Sequence, residues 1–191
     1  MRLGFLWRII AFSIVAVTFI QTGQHTRGQS KPHDFGSEMV SLTEQGHFEE
    51  AVQVGLRALE NQQSDEFVYE QIADVYLIRA KKDPDRKEQW VAKAISYTEK
   101  ALSLNSKDKD AAGVHLLQDA RSFEVAGDLS AGSVRCSYYG RAVKILEDRV
   151  PLLRGDHLTV EGKDFPLAPI RVKNEKRLSD VKSKITSAGC K

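Results

Sequence analysis

Between Tyr69 and Leu104 the chain reads Tyr69-x-x-Ile72-Ala73-x-x-Tyr76, a charged interruption, and then Ala94-x-x-x-Thr98-x-x-Ala101-Leu102-x-Leu104. Residues at i, i+3, i+4 and i+7 share one stripe of a helix, so Tyr69, Ile72 and Tyr76 form an apolar face with Ala73 as a notch in it. Ala94 and Ala101 repeat the design on the following segment. Large side chains beside small ones let two antiparallel helices approach and interlock. The stretch therefore predicts a helical hairpin.

A similar arrangement precedes it. Phe35, Met39 and Leu42 make one apolar stripe behind Asp34, whose carboxylate is placed to cap a helix. Gly46 supplies the left-handed residue that ends this helix. Phe48 then fills the gap between helices, and Ala51, Gly55 and Ala58 form a small-residue ridge. A third unit follows, with the stripe Leu116, Ala120 and Phe123 and a turn at Gly127-Asp128. Its returning helix, after Ser130 to Ser133, carries Tyr138, Tyr139, Ala142, Val143 and Leu146.

This self-similarity resembles the tetratricopeptide repeat (TPR), whose pattern runs aromatic-x-x-Leu-small-x-x-Tyr and then Ala, aromatic, Ala. The first unit matches at Gly46, Phe48, Ala51, Ala58 and Leu59, and departs at Glu38 and Gln63. The second starts at Asp65, its expected helix cap. Ala73 and Ala94 lie twenty-one residues apart, where an uninterrupted repeat needs roughly a dozen. The surplus falls around Lys81 to Trp90 and includes Pro84, which stops or kinks a helix. Two elongated helices joined by a charged, projecting turn are expected. Trp90 beside that turn either packs at the helix start or acts as a binding hot spot.

The expected fold is all-α: a TPR-like helical-hairpin solenoid of about three repeats over residues 31–150, the minimum that buries a continuous core. Residues 151–191 read as an irregular or hairpin-like extension, broken by Gly162, Pro166 and Pro169, and a basic terminal helix. That helix carries Leu178, Val181 and Ile185 on one face, surrounded by Lys173, Lys176, Arg177, Lys182 and Lys184. It either caps the open end of the stack or offers a basic surface to anionic headgroups or an acidic partner.

Residues 1–30 read as a targeting segment. Arg2 and Arg8 lead into Ile9 to Ile20, where only Ser13 and Thr18 are polar, the build of a secretory signal. Cleavage after Gly28 or Ser30 is one ending. The other is an uncleaved anchor, since Leu3 to Ile20 rises roughly 27 Å as a helix against a ~30 Å hydrocarbon core. Either way the leading arginines stay inside and the rest is sent out, to a periplasmic, secreted or membrane-anchored location. No cysteine follows the apolar run to take a lipid.

Chemistry is sparse. The 191 residues are 41% hydrophobic and 28% charged, as in ordinary globular chains. A net charge of +2 argues against a dedicated nucleic-acid binder. His25, His33, His47, His115 and His157 show no metal-ligand spacing, and no phosphate loop or nucleophile elbow occurs. No metal, cofactor or catalytic residue is expected. Cys136 and Cys190 are too few for a disulfide framework. They either pair after export or remain two thiols.

The resemblance implies a binding protein and not an enzyme. In that family the first helices of successive repeats line a concave groove that takes an extended peptide or a partner helix. On this chain the exposed groove positions are expected to be Glu70, Asp74 and Leu77 from the second unit and Val114, Leu117, Arg121 and Glu124 from the third, continued by Val40 and Thr43. The set lacks the lysine and asparagine cluster with which some members clamp a terminal carboxylate. A protein segment carrying both basic and apolar groups is the expected ligand. The leading function is thus an exported adaptor. A self-assembling envelope component is the alternative, and a small enzyme using Asp156 and His157 the third.

Overall fold

The computed structural model describes residues 35–61, 66–105, 112–153, 155–160 and 163–190. They belong to one unit that begins at Asp34. The targeting segment and the expected caps Asp34 and Asp65 lie outside the described residues.

Seven α-helices and one hairpin are present among the described residues: α1 Phe35–Gln45, α2 Phe48–Glu60, α3 Glu66–Lys82, α4 Lys87–Asn105, α5 Ala112–Leu129, α6 Gly132–Arg149 and α7 Leu167–Ser187, with β1 His157–Val160 and β2 Lys163–Pro166 between the last two helices. Neighbours pair antiparallel in chain order, α1 with α2, α3 with α4 and α5 with α6. The first helix of each later pair also packs on both helices of the pair before it, and α7 packs on α6. The domain is therefore all-α with sequential hairpin packing.

Local chemistry explains the turns. Gly46, at φ 86°, lets His47 N–H donate to Leu42 O at 2.8 Å and its own N–H to Thr43 O at 3.1 Å. These are the two bonds of a Schellman turn. The α3–α4 turn is charged, as expected, and short, a 3-10 turn at Pro84–Arg86. Asp83 holds it. Its carboxylate accepts from Arg86 N at 3.3 Å, Arg86 Nε at 2.9 Å and Trp90 Nε1 at 3.0 Å.

The main core runs from Met39 in α1 through Ile72, Trp90 and Phe123 to Tyr139 in α6 and Val181 in α7. A second cluster, Leu117, Ala120, Leu146, Val150, Leu153 and Leu167, seals the end where α6 leads through a 3-10 turn to the hairpin. Two buried hydroxyls are satisfied inside their own helices: Thr43 donates to Met39 O at 2.7 Å and Thr98 to Ala94 O at 3.1 Å. Buried polar groups need such partners.

Three local expectations are corrected. Gly127 is not in a turn; α5 continues through it to Leu129 and the chain reverses at Ser130-Ala131. A glycine is needed there because a Cβ would sit 2.5 Å from the Tyr139 ring. The returning helix starts at Gly132, before Ser133. The terminal helix begins at Leu167, so Pro169 lies in its first turn, where its missing N–H has no partner to lose. Pro166 ends β2 as expected of a breaker, and β1 pairs with β2 antiparallel, His157 opposite Pro166.

Cys136 and Cys190 form a disulfide with Cα atoms 5.5 Å apart. Gly189, at φ 67°, ends α7 in a second Schellman turn, with Cys190 N–H on Ile185 O at 3.1 Å. The reversed chain carries Cys190 to the start of α6. The bond ties the end of α7 to the third pair and hints at an oxidising, extracytoplasmic setting. Among the described residues no helix is long and apolar enough to cross a membrane.

Two outcomes follow for urea denaturation. Gly127→Ala should lose about 1–3 kcal/mol through overpacking against Tyr139, whereas Gly140→Ala, with nothing within 4 Å of its Cβ, should be neutral or gain up to about 1 kcal/mol. Replacing both cysteines by serine should lower stability by up to about 4 kcal/mol, the closure entropy of a 54-residue separation, and reductant should then have no further effect on the variant.

Candidate functional site

The face on which a partner was expected is built from the first helices of the pairs, α1, α3 and α5. α3 is enclosed by α1, α2, α4 and α5. Glu70 and Leu77, expected to be exposed, are consequently buried at 4% and 3% exposure. Leu117 is also a core residue, packed with Leu146, Val150, Leu153 and Leu167. Thr43 is buried, Val40 is half-buried, and the side chain of Val114 lies outside the described residues. Glu70, Leu77, Leu117 and Thr43 therefore offer little surface to a partner, contrary to expectation. The reason is that α3 and α5 each have neighbours on several sides.

Asp74, Arg121 and Glu124 are each engaged across helices. Asp74 accepts from Gln118 Nε2 at 3.1 Å and Arg121 Nη1 at 3.4 Å. Burial pushes the Asp74 carboxyl above its ordinary value, while Arg121, Lys81 and the Gln118 hydrogen bond pull it back. Its side chain is 27% exposed and that of Arg121 50%. Glu124 faces the other way, toward α7, with Lys184 Nζ at 2.8 Å and Arg177 Nε at 3.5 Å.

Arg177 and Lys184 anchor α7 to α5. Arg177 Nη1 donates to Leu117 O and to Asn174 Oδ1, both at 3.2 Å. Lys184 also reaches both oxygens of Asp128 at 2.9 Å, and Asp128 accepts from Tyr139 Oη at 2.7 Å. Burial acts to lower the Lys184 pKa, but Glu124 and Asp128 together carry it above the ordinary value. Val181 is buried between these contacts, with Ile185 and Leu178 half-buried on the same side. The basic and apolar groups expected of a ligand for Glu124 are thus present on the chain's own terminal helix.

Docking of α7 creates a cleft of about 350 Å³ lined by Arg121, Glu124 and Val125 of α5 and Lys173, Lys176, Arg177 and Asp180 of α7. Burial lowers the Lys173 pKa, and Arg177 and Arg121 lower it further. The Arg177 guanidinium is pushed down by burial and by Arg121, with Glu124 opposing. Like charges crowd here.

Elsewhere, Trp90 is packed: it is 5% exposed, stacked 6.1 Å from Tyr76 and covered by Arg79 at 3.7 Å. This is the helix-start alternative. Asp156 and His157 are exposed at the entry to the hairpin, where Asp156 O accepts from Leu167 N at 2.9 Å.

No protein-family model matches the chain, and no curated protein or solved structure is significantly similar to it.

Sequence reasoning placed Asp74, Arg121 and Glu124 on one surface but did not join them to Lys173, Lys176 and Arg177. The basic residues around Leu178 and Val181 were the available signal.

Asp74→Asn tests this partly buried carboxyl. A raised folded value favours the fold while the group is protonated, below its unfolded value near 3.8, and that contribution is lost as pH rises through the folded value. The stability of Asp74→Asn minus that of the native chain should therefore increase with pH from about 4 and then level off, as read by chemical denaturation at each pH.

Proposed function

We propose that this chain is an extracytoplasmic, TPR-like adaptor that binds a segment of another protein on the face shared by α3, α5 and α7. Supporting this reading most directly is the sequential hairpin packing, which sets the first helices side by side and brings Arg121 of α5 against Asp74 of α3. Repeat-like stacks of this kind present extended faces to partners. The Cys136–Cys190 bond is consistent with export, and with residues 1–30 acting as a signal or an anchor.

The working surface differs from the expected groove. Glu70, Leu77 and Leu117 serve the core, so the face rests on Asp74, Arg121 and the α5–α7 cleft. Self-assembly of an envelope component is the competing outcome of the same test.

Crosslinking in the native host should capture a partner with the native chain and lose it with Arg121→Glu, a change at a half-exposed side chain. In parallel, light scattering should give one mass across concentrations. A partner retained by Arg121→Glu removes this face from consideration, and a mass that grows with concentration favours self-assembly.

A further inference from the structure

We propose that Cys136–Cys190 is a thiol-exchange site that latches α7. A protein dithiol opens the bond in the folded chain, and the second half of α7 then leaves α5 and α6. This control of the terminal helix goes beyond the adaptor reading and holds without it.

Of the helices in the domain, α7 has little to hold it. Only Leu167, Asn174 and Val181 of its twenty-one residues are buried, against eight of seventeen in α3. Past Leu178 the one buried side chain is Val181, with Ile185 packed beside it. The other side-chain contacts there are ionic: Lys184 to Glu124 and Asp128, and Lys182 to Glu147. Ion pairs open to water add little stability and weaken in salt. A helix with so few buried contacts lies at the low-stability end of a domain. A covalent tether at its end raises the effective concentration at which it meets its docking face.

The bond is also placed for exchange. Neither cysteine belongs to a core cluster, and both are half-buried. They form part of the wall of a recess of about 620 Å³ at the start of α6. The other lining residues are Gly132, Ser133, Arg135, Ser137, Ala188 and Gly189. None of these is a carboxylate that would repel an incoming thiolate. The one large side chain, Arg135, is folded back on Ser130 O at 2.8 Å. An oxidising compartment keeps the bond closed until a dithiol partner is met.

The two sulfurs are not equivalent. Cys136 is the fifth residue of α6, and helical side chains lean back over the positive first turn. Cys190 instead follows the negative, carboxyl end of α7. A Cys136 thiolate is therefore the better leaving group. The partner's thiolate attacks Cys190 Sγ, the Cys136–Cys190 bond breaks, and its electron pair leaves on Cys136. The partner's second thiolate then attacks its own sulfur in the mixed disulfide and frees Cys190. Two electrons have passed from the dithiol, now a disulfide, and its two protons end on Cys136 and Cys190. Departure of α7 withdraws Lys184 from Glu124 and Asp128, so α5 then presents carboxylates that the oxidised chain keeps paired.

The test treats the folded full chain with reduced thioredoxin in buffer without denaturant, followed by alkylation and hydrogen exchange read by mass spectrometry. Both cysteines should be alkylated. Amides in the second half of α7 should exchange about tenfold faster after reduction, with α3 and α4 unchanged. Raising salt should speed α7 exchange further in the reduced chain and leave the oxidised chain as it was. Cys136→Ser combined with Cys190→Ser should match the reduced chain with or without thioredoxin. Alkylation that needs urea would overturn the exchange site. Unchanged α7 exchange after reduction, or equal salt responses, would overturn the latch. Faster exchange in every helix, in the reduced chain or the double variant, would make the bond a staple of the whole fold and overturn it equally.

Discussion

Burial of most of α3 is the constraint to which the other helices answer. Val68, Ile72, Ala73, Val75, Tyr76, Leu77 and Ala80 are all buried, so one partner helix cannot cover it. α1 and α2 lie on one side, with α4 and α5 completing the enclosure. Close approach depends on small residues. A Cβ on Gly55 would come within 2.7 Å of Ile72, and Ala73 and Ala94 have no exposed surface. No hairpin in such a stack can satisfy its own apolar faces, so stability is shared between neighbours.

The same central pair carries an aromatic and cationic run. Tyr69, Tyr97, Tyr76 and Trp90 follow one another with centroids about 6 Å apart, a separation at which rings attract. Lys100, Lys93 and Arg79 lie over their faces. At the far end Asp83 joins the ladder to the turn by accepting from the Trp90 indole. That hydrogen bond is the first cause of an Asp83 carboxyl held below its ordinary value; desolvation opposes it, and Arg86 assists it. A turn that looks like an insertion in the sequence thus acts as the end-piece of the longest hairpin.

Electrostatics decide the other end of the domain. Apolar contacts from Leu178, Val181 and Ile185 bring α7 to α5 and α6, but Arg177 and Lys184 select how it sits by meeting Glu124 and Asp128. Exposed pairs such as Lys176–Asp180 add little to stability. Those involving Arg177 and Glu124 are shielded from water and set the charge of the cleft. A residue expected to meet an outside partner, Glu124, is instead what holds the terminal helix.

Much of the fold was legible from local pattern. The small-residue notches, the left-handed Gly46, the Pro84 turn and the stripe Leu178, Val181, Ile185 all report geometry within a turn or two of helix, and all appear where the sequence placed them. The failures share one cause. Glu70, Leu77 and Leu117 were assigned to an open face, yet periodicity states which residues lie together on a helix and not how many neighbours surround it. In α3 a sign was present, since Val75, Leu77 and Ile78 make it apolar beyond a single stripe. Gly127 misled for a similar reason, being read as a turn although a distant ring, Tyr139, required its missing side chain.

The sequence by itself determined the helical pairs, their order and some of their ends, such as those at Gly46 and Pro84, because those depend on spacing and backbone preference within short segments. Tertiary structure decided what the surface offers. Whether Glu124 faced solvent or Lys184, whether Cys136 met Cys190, and whether the face was acidic or basic all turned on residues some fifty or more positions apart. Charges and side-chain volumes act through space, and only the packed chain specifies which distant groups come within their range.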